Sequence, residues 1–521
     1  MDSDSLQEAK ELASKTAKVA SLLASGKIIS ISIQAFMFIV IARLLGPTNY
    51  GIYTLILGVA ILISAFGNVS IGTYFNERIP YLISKKRSSE IGVALGDGTV
   101  AMVLPGIVLL IIGVFLSGLI SNYVLHSYTY IPIVILSMFS ILFFFLFSQF
   151  NLILVSYGDG KNSAIGNMIY SAVQSFMSIF LILLGYGIAG AILGYVLALL
   201  VGAVFQMVAA ARRFGIKISA NGLWTRIRSM LKFSMPLTGS NIINTLITNF
   251  AVVLLGLLFI PQFFIGEYGV AIKIGTLIDV VAGSIGIVLI PMFAEAVNNA
   301  RMKKNLSKFF HYSVYFGLLF TTPMIAYVVV FSKYLIITLF AGAYSNSIFY
   351  MQLVSVGLLL STFGIFATQL VISTRKTRTV LKYSLIVGII EFISLLVLTP
   401  LLHVVGVIIA ILYIGSIATG ILFINYLKRI GIKIEMGQIW RLFLANIILG
   451  LALSILLFVA LSWAFLLVLG VVILLLVYPI LIVKLRAISN DEVKLLREIG
   501  KEIPFIGTIL DRLLAYALYF L

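Results

Sequence analysis

The sequence predicts an all-α polytopic membrane protein with about fourteen transmembrane helices, and composition, run length and charge placement support this. Hydrophobic residues make up 61% of the 521 residues and charged residues only 10%, whereas a soluble domain is roughly 45–50% apolar. Apolar runs of about 20 residues, enough to cross a bilayer as a helix, follow one another from Val19 to Arg486. We therefore expect a multi-pass protein of the cell membrane.

Breaks between the apolar runs define the order of the predicted helices. A polar leader, residues 1–18, precedes a first run that lacks a signal-peptide cleavage site and is read as a membrane helix. After the last span, Ser489 and Glu492 form a capping box before apolar residues at helical spacing, which predicts interfacial helices on the cytoplasmic face. The breaks fall near residues 43–50, 76–92, 121–128, 156–163, 185–188, 211–232, 260–267, 295–310, 333–346, 374–382, 401–405, 428–441 and 462–465.

The Lys and Arg residues that give the net charge of +18 follow the pattern of a membrane topology. All Lys and Arg residues except Lys27, Arg43, Lys273 and Lys333 lie in the N-terminal segment, in alternate loops or in the C-terminal segment. By the positive-inside rule both termini are cytoplasmic, which requires an even number of helices. Membrane lipids, rather than nucleic acid, are the expected partners of this charge.

A repeated phrase indicates internal duplication. Residues 213–218 read "RFGIKI" and residues 429–434 read "RIGIKI", and further matches share this offset of 216 positions or one of 218. Each copy holds six helices, so both run in the same sense, as two parallel repeats followed by two extra helices. The predicted segments are a cytoplasmic leader (1–18), an N-lobe (19–215), a basic linker (216–232), a C-lobe (233–430), two extra helices (431–486) and a cytoplasmic C-terminal segment (487–521).

Polar stripes occur on the first helix of each repeat. Helical spacing places the members of each stripe on one side of their helix, and stripes at equivalent positions predict the wall of a water-filled cavity. Hydrogen bonding between helices is the alternative. The stripe residues are Lys27, Ser30 and Gln34 in the first repeat and Asn241, Asn244, Thr245, Thr248 and Asn249 in the second.

Ionisable groups inside spans are costly and usually face the bundle interior. Lys273 and Arg43 are candidate cavity cations, although Arg43 at a helix end also has the option of reaching the interface. Asp279 and Glu391 are candidate ion-coupling residues, since an unpaired carboxylate there would take up a proton or bind a cation. Two alternatives stay open, a Lys273–Asp279 pair and a protonated, hydrogen-bonded Glu391.

Chemistry other than transport finds little support. No cysteine is present, and His126, His311 and His403 are far apart, so no metal site is expected. "GYGIAG" at 185–190 matches a dinucleotide fingerprint without its strand–turn–helix context, and "GDGK" at 158–161 lacks the rest of a P-loop. We expect no catalytic residue and no bound cofactor, and a coupling Na⁺ or proton is compatible with the acids.

Three stretches resemble the polysaccharide, or O-antigen-type, flippases of the multidrug/oligosaccharidyl-lipid/polysaccharide exporter superfamily. They are "ARLLGPTNYGIYTL", "LKFSMPLTGSNIIN" and "LILLGYGIAGAILGYV". The resemblance implies a non-enzymatic flippase that moves a lipid-linked oligosaccharide from the cytoplasmic to the outer leaflet by alternating access, for cell-surface glycan assembly. It also implies that cavity cations meet the carrier's phosphate or pyrophosphate, and that other glycan-assembly membrane proteins are suitable partners.

Two other functions compete with the flippase. A multidrug or cation antiporter of the same superfamily would have a cavity dominated by acids and aromatic residues. A membrane glycosyltransferase or polymerase would need acidic residues on sizeable outer loops, and Glu267 is the only acid in the predicted outer loops.

Overall fold

The computed structural model describes residues 3–67, 71–85, 87, 89–298, 306–374, 376–432, 436–459 and 461–488. Every regular element in these ranges is a helix, as predicted. Contacts divide the chain into unit 1, Met1–Gly266, and unit 2, Glu267–Leu521. The predicted interfacial helices with Ser489 and Glu492 lie outside the described residues.

Seven helices precede the unit boundary and seven follow the break after Leu257. The first set is α1 (Ser3–Ala65), α2 (Ile71–Ser84), α3 (Ser89–Tyr123), α4 (Ile131–Tyr157), α5 (Gly160–Leu181), α6 (Gly187–Phe214) and α7 (Leu223–Leu257). The second set is α8 (Gln262–Asn298), α9 (Leu306–Phe340), α10 (Ser347–Ser373), α11 (Thr377–Ile408), α12 (Ser416–Arg429), α13 (Met436–Ile455) and α14 (Trp463–Lys484). Short π-helices cover Ile182–Tyr186 and Ile409–Gly415.

The described helices account for the predicted fourteen spans. Ten stretches in the described part of the chain are long and apolar enough to cross a membrane. Three of them, Ile29–Ala65, Gly160–Arg213 and Thr377–Arg429, contain a position where the backbone leaves the helical region and so hold two spans each. With the 37-residue α8, the total is fourteen. The cytoplasmic placement of both termini stays a prediction.

Gly46 separates the two spans of α1. Its φ of 70° and ψ of 169° are outside the helical region, where a side chain would be strained and glycine is not. Phe38 and Tyr50, twelve residues apart, have ring centroids 6.4 Å apart, whereas a straight helix would separate them by roughly 18 Å. The "GPTNYG" of the family-like stretch is therefore a sharp bend.

Turn geometry repeats at the predicted offset of 216. Six of the thirteen described residues with positive φ form pairs at this offset: His126 (56°) with Gly342 (76°), Gly187 (50°) with His403 (53°), and Gly215 (65°) with Gly431 (77°). At the second pair ψ agrees as well, −125° and −126°. These paired turns agree with the internal duplication that the repeated phrase indicated, which stays a prediction.

Substitutions at the second pair are expected to change stability in opposite directions. Gly187→Ala should lower the free energy of unfolding by about 1–3 kcal/mol, because a side chain is strained at this φ and ψ. His403→Gly should raise it by about 1 kcal/mol, because it relieves that strain at an exposed position. Thermal unfolding in detergent measures both, and a loss of stability in His403→Gly would contradict the assigned backbone.

Small residues pack the α5–α6 hairpin. Gly190 lies against the backbone of Leu181 and Ile182, and Gly194 lies against Ser178. A Cβ at either glycine would meet backbone atoms within 3 Å. These small residues on the sixth span therefore form a packing face.

In unit 2, the two extra helices pack on α9. Tyr327 Oη of α9 donates to Leu467 O at 2.9 Å, and Tyr478 Oη of α14 donates to Leu319 O at 2.7 Å. His311 Nε2 lies 2.8 Å from Gln438 Oε1 of α13. These hydrogen bonds give the hydroxyl and imidazole groups partners within an otherwise apolar core.

The predicted linker 216–232 is shorter than expected, because α7 already begins at Leu223. Lys217 N donates to Gly92 O at 3.0 Å, and Gly96 lets the Lys217 carbonyl approach α3 closely. Arg226 of α7 pairs in bidentate fashion with the buried Asp97 of α3, with Nη2 2.9 Å from Oδ1.

Helix α7 packs against α1, α2 and α3 and falls within unit 1. The contact boundary after Gly266 thus differs from the predicted start of the C-lobe at residue 233. The six-helix lobes describe the sequence repeat and remain a proposal. The two units describe how the contacts divide the chain, which is a different property.

Candidate substrate-binding surface

The polar stripe of α1 faces α5 at two of its three positions. Ser30 is buried and its hydroxyl bonds that of Ser171. Gln34 Nε2 donates to Ser171 Oγ at 3.0 Å and to Ser30 Oγ at 3.2 Å. These bonds match the interhelical alternative weighed for this stripe. Lys27 belongs to α1, but its side chain lies outside the described part of the chain.

Helix α5 continues this network with a polar ladder that the sequence analysis did not identify. Ser163, Asn167 and Ser171 recur every four residues, and this spacing is the signal that was available. Asn151 of α4 bonds the first two, with Asn151 Nδ2 3.0 Å from Asn167 Oδ1 and its own Oδ1 2.9 Å from Ser163 Oγ. The ladder ties α1, α4 and α5 together.

A charge pair closes the ladder at one end. Asp159 accepts a bond from the backbone N–H of Asn162 at the start of α5, and Arg213 Nη1 donates to Asp159 Oδ2 at 2.9 Å. The guanidinium of Arg213 also lies over the ring of Tyr157, 4.6 Å from its centroid. Charge on these side chains is therefore paired and serves the local fold.

Loss of the Ser171 hydroxyl is expected to loosen α1 from α5. Ser171→Ala removes bonds to two α1 side chains, and interhelical bonds in membranes are worth about 1 kcal/mol, so the unfolding free energy should fall by about that amount. Ser175→Ala is the matched control, because Ser175 Oγ bonds the carbonyl of its own helix. Equal stability of the two variants in detergent would show that the network contributes nothing.

The polar stripe of α7 differs from that of α1 in exposure. Asn241, Asn244 and Thr248 are exposed, while Ile247 and Ala251 are buried. Thr248 Oγ1 donates to Asn244 O at 2.9 Å. Transfer of amide and hydroxyl side chains into hydrocarbon is costly, so an exposed polar face on a membrane span favours contact with water.

The half-buried members of the α7 stripe bond their own helix. Asn249 Nδ2 donates to Thr245 O at 2.9 Å, and both residues are half-buried. Each of them follows an exposed member of the stripe, Asn244 or Thr248, along the helix. A cavity role for the stripe stays a prediction.

The described candidate cations lie in different units. Arg43 is exposed, three residues before the bend at Gly46. Lys273 is exposed on α8 in unit 2, and Thr276 Oγ1 donates to its carbonyl at 2.7 Å. The described side chains of Lys273 and Asp279 form no ion pair, which leaves Asp279 half-buried without that neutralising partner.

Glu391 lies beside a π-helix across the α11–α12 hairpin. It is half-buried, and a methyl group at Gly415 would overlap its Oε1. Gly415 is the last residue of the π-helix Ile409–Gly415. Such bulges interrupt the regular carbonyl ladder and frequently occur at functional sites. A carboxylate at this position has the oxygen chemistry that binds a hard cation or a proton.

Glu267 is fully buried in unit 2. Its Oε1 accepts the backbone N–H of Asn346 at 2.8 Å, and its carbonyl accepts Ser347 Oγ at 2.8 Å. The carboxylate therefore caps the start of α10. Among the described residues no group of three His, Asp and Glu side chains is placed to hold a metal ion.

The chain is similar in sequence to a protein family and in fold to solved transporters. The profile of the family described as polysaccharide biosynthesis protein matches residues 16–297. No curated protein matches the chain.

The lipid II flippase MurJ, in an inward closed conformation, is 15% identical with a TM-score of 0.71, covering 88% of this chain and 97% of its own. An inward-facing multidrug resistance MATE family transporter of the MOP superfamily is 16% identical with a TM-score of 0.56, covering 78% and 98%. The eukaryotic MATE transporter AtDTX14 is 12% identical with a TM-score of 0.52, covering 81% and 96%. These likenesses show the fold of a multi-pass membrane transporter.

Proposed function

Because the chain belongs to the polysaccharide biosynthesis protein family, we propose that it is a flippase that moves a lipid-linked oligosaccharide from the cytoplasmic to the outer leaflet. The observation that carries this proposal is the exposed polar face of α7, Asn241, Asn244 and Thr248, in a chain with the fold of a lipid flippase. Sugar hydroxyls bond amides and hydroxyls of this kind. Proteins with parallel repeats alternate access to their substrate site by rocking one repeat against the other.

Cations on α1 and α8 are proposed to neutralise the negative charge of the lipid carrier. The phosphate or pyrophosphate of the carrier loses water on binding and needs a fixed cation in exchange. We assign this role to Lys27, with Arg43 and Lys273 as further contacts. Asp279 and Glu391 are the proposed coupling residues, with Na⁺ or a proton as the coupled cation.

A multidrug antiporter is the second candidate, since the fold is shared with MATE transporters. The exposed face of α7 carries amides and a hydroxyl, whereas an organic cation would be recognised by acids and aromatic rings. A glycosyltransferase is disfavoured, because the carboxylate of Glu267 is buried and caps a helix.

Substrate competition tests the proposal. A fluorescent prenyl-diphosphate oligosaccharide should bind the purified full chain and be displaced by its unlabelled form. Tetraphenylphosphonium, an organic cation, should leave it bound. Binding of the cation together with no binding of the prenyl diphosphate would overturn the flippase in favour of the antiporter.

Cysteine labelling tests the direction of export, because the natural chain has no cysteine background. Thr129 and Ser229 are both exposed, on opposite predicted sides of the membrane. An impermeant thiol reagent applied outside intact cells should label Thr129→Cys and leave Ser229→Cys unlabelled. The reverse pattern would invert the predicted topology and the direction of transport.

A further inference from the structure

A second candidate site lies at the end of α2, apart from the residues assigned to transport. It is a cavity of about 300 Å³ lined by Tyr74, Arg78, Tyr81 and Phe233. Tyr74 and Phe233 meet edge to face with ring centroids 6.0 Å apart, and the Arg78 guanidinium carbon lies 5.4 Å from the Tyr81 centroid. The site thus combines one guanidinium with three aromatic rings.

The positive charge of the Arg78 guanidinium is only weakly neutralised by its acidic neighbour, so it is available to a ligand. Its acidic neighbour Glu90 is 3.9 Å away, at the limit of an ion pair, and Glu90 is bonded more closely by Arg87. A guanidinium presents paired N–H groups that match phosphate oxygens, and aromatic rings beside it exclude water. The chemistry selects a phosphate group attached to an apolar body.

The surroundings of the pocket have the composition of a membrane interface. Phe233 of α7, which lines the pocket, is 49% exposed. The adjoining loop carries Lys85, Lys86 and Arg87 and is predicted to be cytoplasmic. Aromatic rings favour the headgroup level, and anionic lipids give the cytoplasmic leaflet its negative surface potential.

We propose that this pocket binds the phosphodiester headgroup of an anionic membrane phospholipid, with its acyl chains along Phe233. One guanidinium balances the single negative charge of a phosphodiester, whereas a pyrophosphate would be left with uncompensated charge. The pocket volume is at the lower end of the roughly 300–1,000 Å³ of small-molecule sites. This inference does not rest on the transport proposal.

Fluorescence quenching of a single tryptophan at the pocket tests the assignment. Phe233→Trp is placed in the full chain with Trp224, Trp440 and Trp463 changed to Phe, and the protein is reconstituted in phosphatidylcholine vesicles. Brominated phosphatidylglycerol should quench about fivefold more effectively than brominated phosphatidylcholine at equal mole fraction, which corresponds to about 1 kcal/mol. A chain that keeps only Trp224, on the same helix, reports bulk lipid and should show a smaller preference.

Two variants that each remove one positive charge distinguish lipid binding in the pocket from attraction by the general surface potential. Arg78→Gln should reduce the preference at position 233 to that at Trp224, while Lys85→Gln, which removes one charge just after the end of α2, should retain it. Equal losses in the two variants would overturn the site. Native mass spectrometry of the chain with its natural Phe233 should show the same loss of bound phosphatidylglycerol in Arg78→Gln, and no loss would overturn it as well. Abolition of the preference by soluble glycerol phosphate would reassign the pocket to a free phosphate.

Discussion

Gly415→Ala is expected to reduce ion-coupled transport by at least about tenfold, which corresponds to about 1.4 kcal/mol. The added methyl group would overlap Glu391 Oε1 and displace the carboxylate from the end of the π-helix. The rate of lipid flipping in vesicles with and without a sodium or proton gradient measures the effect. Gly420→Ala is the matched control on α12, because no atom lies within 4 Å of its added Cβ.

Glu391→Gln distinguishes the effect of moving the Glu391 carboxylate from the effect of removing its ionisable charge. The amide keeps the shape of the side chain but removes its ionisable charge, so transport should lose its dependence on the coupled cation. Unfolding in detergent should be similar for the wild type, Gly420→Ala and Glu391→Gln. Transport in Glu391→Gln that keeps the wild-type dependence on pH and on sodium would make Glu391 a structural residue.

Lys27→Ala is expected to lower the flipping rate by about 100-fold, since a lost charge-assisted bond to phosphate is worth up to about 3 kcal/mol. Lys27→Arg should retain part of the activity, because it keeps the charge. Lys18→Ala, at the end of the polar leader, is the control for a cation on the same helix outside the predicted span. Full activity of Lys27→Ala with normal expression would remove this residue from substrate binding.

Apolar run length and spacing were sufficient to predict the helices. The four-residue spacing of Gly190 and Gly194 places them on one face of their helix, and this face packs closely against α5. The repeated phrase at 213–218 and 429–434 led to an offset that the left-handed turns at Gly187 and His403 share. Hairpin positions follow from local backbone preferences, so they are readable without tertiary information.

Contacts between distant segments were outside the reach of the sequence. The Asp97–Arg226 pair joins residues 129 positions apart and holds α7 to α3 within unit 1. The approach of Glu391 to Gly415 depends on a π-helix that no residue pattern marked. The α5 ladder was readable from its spacing, but its partner Asn151 on α4 was not.

Part of the predicted site has a different environment from the one expected. Ser30 proved to be buried against Ser171, because short hydroxyls in an apolar bundle find partners on neighbouring helices. Asn241 and Asn244, unlike Ser30, are exposed. The α7 stripe is therefore the stronger candidate for substrate contact.

Lipid flipping by the purified full chain measures the proposed function most directly. Vesicles that contain the protein and a fluorescent prenyl-diphosphate oligosaccharide are treated with a membrane-impermeant quencher, and the protected fraction is followed over time. We predict that the wild-type chain makes the inner-leaflet lipid accessible at a rate that rises with an imposed cation gradient, and that Lys27→Ala vesicles match protein-free ones. A wild-type rate equal to that of protein-free vesicles, together with gradient-driven uptake of tetraphenylphosphonium, would contradict the flippase and identify a cation antiporter.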